Sequence, residues 1–175
     1  MQFKPVPEAP ENAEGVEAIL EAVPATAGAV DDCCAHLLEE TRLETRSEAE
    51  TWLTFLRALE LAAEESAGYR RAVDPSLESV ALQQAFRERV VAASTVLDAL
   101  ETADEPASVE AVFDAVRGEI PGYEREKLGD RFEPVWTERV RRLLEWAVVL
   151  ELAERTAAAD RYRYRSSSVS DETDG

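Results

Sequence analysis

Cys33, Cys34 and His36 are residue types that bind metals or attack electrophiles, and they stand within four positions of one another. A structural zinc site takes four ligands in spaced pairs; here there are three candidates, two of them adjacent. On a helix both cysteines fall on the apolar stripe Val30, Cys33, Cys34, Leu37 and Leu38, where a free cysteine serves as a small hydrophobe. An isolated vicinal pair is also poor material for a stabilising disulfide. His36 is the only histidine, so a triad that needs this residue has no second candidate. The 37 carboxylates include no pair whose setting suggests an acid–base dyad. The glycines are scattered at helix breaks and build no phosphate loop. These observations predict no enzyme, no metal and no cofactor.

The chemistry on offer is instead the binding of phosphate by arginine. Only two of the 19 basic residues are lysine, Lys4 and Lys127, which leaves 17 arginines in a chain of formal charge −18. Residues 131–165 hold eight arginines against six acids and form the one region of net positive charge in the chain. Within it, Arg161, Arg163 and Arg165 alternate with Tyr162 and Tyr164, so a strand would aim arginines one way and rings the other. Such a ribbon suits phosphate contact, which positions a protein on a duplex without reading sequence. Just upstream, a helix carries Arg139, Arg141 and Arg142. Trp136, Val140, Leu143, Ala147 and Leu150 converge on one side of it, and Glu138, Arg141, Arg142 and Glu145 face the other way. Glu138–Arg142 and Arg141–Glu145 are spaced i,i+4, so part of this charge is self-paired. The bland alternative is a ribbon and helix whose arginines simply pair with neighbouring carboxylates.

The elements that must position these residues are duplicated. Leu150-Glu-Leu-Ala153 repeats Leu59-Glu-Leu-Ala62, and an aromatic-basic ribbon follows each, Tyr162–Arg165 and Tyr69-Arg70-Arg71. Upstream, Val16–Val23 and Val109–Val116 agree at five of eight positions, and the other three exchange only Ile/Val, Leu/Phe and Glu/Asp. The offsets, 93 and 91, nearly coincide, so the chain is a tandem duplication. A period this long exceeds the roughly 20–50 residues of a solenoid unit, and each copy must hold its own core.

In chain order, residues 1–12 read as a disordered leader rich in proline and acid. The first copy spans 13–73. It has helices over about Ala13–Val23, Ala29–Glu40 and Glu48–Ala63, the third capped by Ser47 with Glu50 closing a capping box. A hairpin over Ala62–Glu65 and Gly68–Val73 follows. The outward face of the third helix, Ser47, Glu50, Thr51 and Thr54, is neutral to acidic and suits a protein partner better than phosphate. Residues 74–104 keep helical spacing from Leu77 to Leu100 and predict one connector helix of about 27 residues, roughly 40 Å long. Its apolar stripe covers either its own neighbours or a second copy of the chain. The second copy spans 105–165, with Ser108 as N-cap, a short helix or loop that tucks in Ile120, Tyr123, Leu128 and Phe132, and a long third helix from Pro134 through Ala153. Strands over Glu154–Thr156 and Asp160–Arg165 complete it. Residues 166–175 are an acidic tail.

Three helices followed by a hairpin, with Leu-Glu-Leu-Ala passing into the ribbon, resembles a winged helix-turn-helix domain, and it occurs twice. The implied fold is mostly α (α+β): two tandem winged-helix domains joined by the connector. Acid-rich, lysine-poor composition resembles proteins of extreme halophiles, so the nearest likeness is to haloarchaeal winged-helix regulators. In such domains the helix before the wing enters the DNA major groove. The resemblance therefore implies a non-enzymatic, transcription-associated regulator that contacts double-stranded DNA through Arg139, Arg141, Arg142, Arg161, Arg163 and Arg165. The alternative is a protein-interaction adaptor that uses Ser47, Glu50, Thr51 and Thr54. Nothing in residues 1–10 reads as a secretion signal, and no apolar run approaches a membrane span; a cytoplasmic protein is expected.

Overall fold

The structure, a computed structural model, describes residues 6–11, 13–28, 32–72, 79–90, 92–156 and 161–165. The expected tail and residues 1–5 and 12 of the expected leader lie outside them. In the rest of the leader Val6, Pro7 and Pro10 are buried, so that stretch is packed and not the solvated segment its proline and acid content suggested. The chain divides into two compact units, residues 1–91 and 92–175.

The first unit runs α1 (Ala13–Ala22), α2 (Cys33–Glu40), α3 (Arg46–Ala58), β1 (Ala62–Glu65), β2 (Gly68–Arg71) and α4 (Ser79–Arg89). Val16, Ile19, Leu20 and Val23 recur at helical spacing and are all buried, which fixes the inner face of α1. Asp32 caps α2 by accepting the Ala35 N–H at 3.2 Å. Residues 29–31 of the expected longer helix lie outside the described residues. Cys34 is buried and Cys33 half-buried, both with free thiols, on the stripe that the spacing placed them on.

The start of α3 is set two residues earlier than the sequence suggested. Thr45, not Ser47, is the N-cap: its hydroxyl accepts the Glu48 N–H at 3.1 Å, and the Glu48 carboxylate accepts the N–H groups of Glu44 and Thr45. Two capping boxes overlap in the sequence, Thr45–Glu48 and Ser47–Glu50, and the helix adopts the first. Ser47 and Glu50 are thereby carried into the helix, on its exposed side.

The same helix stops at Ala58 rather than Ala63. Glu60 turns left-handed at φ 65°; its N–H reaches the Arg57 carbonyl at 2.9 Å, and the Leu61 N–H reaches the Leu56 carbonyl at 2.8 Å. This pair of bonds is a Schellman stop, with glutamate where glycine is usual. Leu-Glu-Leu-Ala is therefore a helix stop followed by the first residue of a strand. The second unit repeats it bond for bond. Glu151 also sits at φ 65°, its N–H bonds Val148 at 3.0 Å, and the Leu152 N–H bonds Ala147 at 2.8 Å.

The second unit runs α5 (Ala93–Thr102), β3 (Ala107–Ser108), α6 (Val109–Arg117), α7 (Gly122–Leu128), a 3-10 turn (Gly129–Arg131), α8 (Phe132–Val149), β4 (Ala153–Arg155) and β5 (Arg161–Tyr164). Ser108 caps α6 as expected, accepting the Ala111 N–H at 3.1 Å. The sheet is antiparallel with β5 between β3 and β4, while the first unit has the pair β1–β2. Trp52 and Phe55 of α3 and Leu143 and Trp146 of α8, matched by the offset of 91, are all buried. Tyr123, expected inside, is 50% exposed at the start of α7. Glu124 takes the inward position beside it.

The single connector helix expected over 74–104 is two helices. Residues 73–78 and 91 lie outside the described residues, and the break falls at Val90–Ala92, where Ala92 is left-handed at φ 74°. Leu82, Phe86 and Val90 are buried, as are Ala93, Val96, Leu97 and Leu100. α4 lies in the first unit, while α5 packs on α6, α8 and β5 of the second. These described stripe residues are thus covered within the chain itself and are not on offer to a second copy.

Candidate nucleic-acid interface

The ribbon adopts the alternation that its sequence demands. Arg161, Arg163 and Arg165 are exposed, Tyr162 is buried and Tyr164 half-buried. The three arginines stand on the solvent side of β5 and its continuation, where the Arg165 N–H bonds the Leu152 carbonyl at 2.8 Å. Each has a partner at its base. Arg163 donates from Nε and Nη2 to Glu154 at 3.0 and 2.6 Å, across the β4–β5 register. Arg165 lies 4.0 Å from Glu151, and Arg161 donates to the Pro106 carbonyl at 3.3 Å.

On α8, Glu138 gathers two arginines. Arg141 grips it with two N–H groups, at 3.0 and 2.5 Å, and Arg142 donates to it at 3.0 Å. The hydrogen bonds from Arg141 hold the Glu138 carboxyl below the usual carboxylate range, with Arg142 adding to the effect and partial burial opposing it. The Glu138–Arg142 pairing was legible from spacing. In the expected partnership of Arg141 with Glu145, Arg141 bonds Glu138 instead, and Glu145 turns to the wing, where it accepts the Tyr162 hydroxyl and pairs with Arg155.

Arg139 stands apart from this face. One residue past Glu138 it is about 100° around the helix, which aims it toward α7. There it donates to Glu124 at 3.3 Å and lies over the Trp136 ring, 4.8 Å from its centroid. Glu124 is 5% exposed, the one buried charged residue among those described, and also accepts the Trp136 indole N–H at 3.1 Å. The Glu124–Arg139–Trp136 cluster ties α7 to α8. The signal for it was Trp136, since a buried indole N–H needs an acceptor.

The wing is fastened to its helix with opposite polarity in the two units. In the first, Arg57 of α3 pairs with Glu64 of β1 beside Tyr69. In the second, Glu145 of α8 pairs with Arg155 of β4 beside Tyr162. Glu64 and Arg155, like Tyr69 and Tyr162, are equivalent positions. The two helices also differ in exposure: from Val135 to Leu150 every residue of α8 and its cap is buried or half-buried. The α3 face keeps Ser47 and Glu50 exposed and Thr51 and Thr54 half-buried, with the Thr51 hydroxyl bonded back to the Ser47 carbonyl at 3.0 Å.

The protein-family comparison fits this repeated arrangement. A family model described as the halobacterial double winged helix domain matches residues 1–167. The chain belongs to that family. No curated protein and no solved structure matches it. Winged-helix domains in general serve DNA-binding regulators, and a halobacterial family agrees with the acidic, lysine-poor composition of the chain.

Two further features bear on ligands. His36, Glu39 and Glu40 of α2 can each bring one ligand atom within 4.8 Å of the others; they share one helix surface, and Cys33 and Cys34 are not among them. Burial pushes the Cys33 thiol up to about 11, with Cys34 adding to it; a thiol so poorly ionised is a weak nucleophile and ligand. Among the described residues no helix is long and apolar enough to cross a membrane.

Proposed function

We propose that this double winged helix protein is a non-enzymatic, transcription-associated regulator acting in the cytoplasm, and that it contacts double-stranded DNA through the second unit. In this reading α1 to β2 form one winged helix and α6 to β5 the other, with α5 an added helix on the second core. The observation that carries the proposal is the outward ladder of Arg161, Arg163 and Arg165 in the chain's one net-positive region. Arg141 and Arg142 of α8 are the further arginines that this reading assigns to the interface. Arg139 belongs to the α7–α8 tie and drops out of the interface. The Arg163–Glu154 and Arg165–Glu151 pairs are solvent-exposed; such pairs are worth about 0–1 kcal/mol, little enough for a phosphate to displace the carboxylate.

The test is the variant Arg161→Ser, Arg163→Ser, Arg165→Ser. It should keep its fold, since all three side chains face solvent, and lose affinity for duplex DNA of any sequence by tenfold or more. Phosphate contacts set affinity and not sequence preference. Wild-type protein that binds no duplex at any KCl concentration where it is folded would refute the proposal. The adaptor reading would then stand. Its specific support is that the Ser47, Glu50, Thr51 and Thr54 face of α3 is more open than the α8 face, so a protein partner would be sought there.

A further inference from the structure

The arginines of the proposed DNA surface already hold carboxylates in the geometry that phosphate would take. Arg141 grips both oxygens of Glu138 with two parallel N–H groups, the fork by which arginine binds phosphate. Arg163 sets two N–H groups on one oxygen of Glu154. The first-unit positions equivalent to Glu138 and Glu154 are Ser47 and Ala63, so neither of these acids has a counterpart in the first unit, while Glu151 repeats Glu60.

We infer that the second unit binds DNA by exchange of partners, phosphate for carboxylate, and that Glu138, Glu151 and Glu154 are the residues that make its affinity tolerant of salt. The inference rests on the DNA reading above. A cation-bearing phosphate that meets a free arginine releases its condensed cation, so affinity falls steeply as salt rises. When the arginine must first leave a glutamate, the freed carboxylate sits beside the DNA in a strongly negative potential and recovers a cation from solution. Release and uptake then cancel.

The number of pairs sets the size of the effect. Five free arginines (141, 142, 161, 163 and 165) on five phosphates would give a slope of log affinity against log salt near −4.5, at about 0.9 per contact. Four of these arginines hold three carboxylates between them, because Arg141 and Arg142 share Glu138, and Arg161 donates to a carbonyl; three carboxylates are therefore freed and three cations recovered. Five cations released less three recovered leave a net two, and a slope of about −1.8. A regulator working in multimolar salt needs this shallow dependence more than it needs high affinity in dilute buffer.

The experiment is fluorescence anisotropy of the full chain with a random-sequence 30-base-pair duplex, over the range of KCl in which the protein is folded. The wild type is compared with Glu138→Gln, Glu151→Gln, Glu154→Gln combined. Glu101→Gln, Glu110→Gln, Glu119→Gln combined, three exposed acids of the second unit, is the control of equal net charge. The triple variant should bind more tightly at the low end of the range, and its slope should be steeper than wild type by about 2–3; the control should match wild type. Equal slopes in triple variant and wild type would overturn partner exchange and leave DNA binding standing. A control as steep as the triple variant would also overturn it, by tracing the effect to total charge. No binding by the wild type would remove both the inference and the function it rests on. Circular dichroism of each variant separates these results from unfolding.

Discussion

Replacing Glu124 should destabilise the second unit by an amount that depends on what replaces it. Glu124→Ala strips the acceptor from the Trp136 indole, which is 1% exposed, and a buried donor left unpaired costs about 1–3 kcal/mol. Arg139, whose side chain is 27% exposed, loses its carboxylate as well; partial solvation holds that term to about 0–1 kcal/mol. The total is about 1–4 kcal/mol. Glu124→Gln keeps an amide oxygen for the indole and gives up the charge, for about 1 kcal/mol. In a unit of this size each kcal/mol moves the melting temperature by about 4–8 °C. The alanine variant should therefore melt at least about 4 °C below wild type and further below it than the glutamine variant does. The assay is thermal unfolding in concentrated KCl followed by tryptophan fluorescence, which reports the second unit through Trp136 and Trp146. A double-mutant cycle with Trp136→Phe should give a coupling of about 1 kcal/mol or more. An alanine variant that melts within 2 °C of wild type, or a cycle with no coupling, would refute the view that this carboxylate ties α7 to α8.

Other outcomes follow from the same structure. Glu151→Gly should stabilise the second unit by about 0.5 kcal/mol, because glycine relieves a left-handed backbone costing about 1–2 kcal/mol and gives part of it back as unfolded-chain entropy; urea titration checks it. With the Cys33 thiol raised to about 11 from 9.0, its thiolate fraction at pH 8 is about a hundredfold below that of an unperturbed thiol. Iodoacetamide should therefore label native Cys33 far more slowly than the unfolded chain, faster as pH climbs toward 11. Self-repulsion among the surplus of carboxylates should make the melting temperature rise from about 0.1 M to multimolar KCl, where screening acts over only a few Å. An unchanged or lower value would remove the halophilic account of the surface.

Much of the architecture was legible because the duplication wrote it twice. The octapeptides marked α1 and α6, and the strict Arg/Tyr alternation fixed which side of β5 faces water. The end of α3 was misjudged because leucine and alanine favour a helix, and nothing in Leu-Glu-Leu-Ala advertises that its glutamate turns left-handed. The connector failed for a related reason. Apolar spacing runs unbroken from Leu77 to Leu100, and a break at Ala92 needs no glycine or proline. Of the candidate arginines, Arg139 pairs with Glu124 of α7, a partnership that its place beside Arg141 and Arg142 in the sequence did not signal. Glu124 was missed because a single glutamate among many acids carries no sign that it will be buried.

Amide chemical shifts of the full chain, titrated with a duplex at a KCl concentration that supports folding, test the central claim most directly. DNA contact through the second unit should gather the perturbed residues on Glu138–Arg142 and Arg161–Arg165, with little change along Ser47–Thr54. Perturbation confined to the α3 face, or none at any DNA concentration, would contradict it.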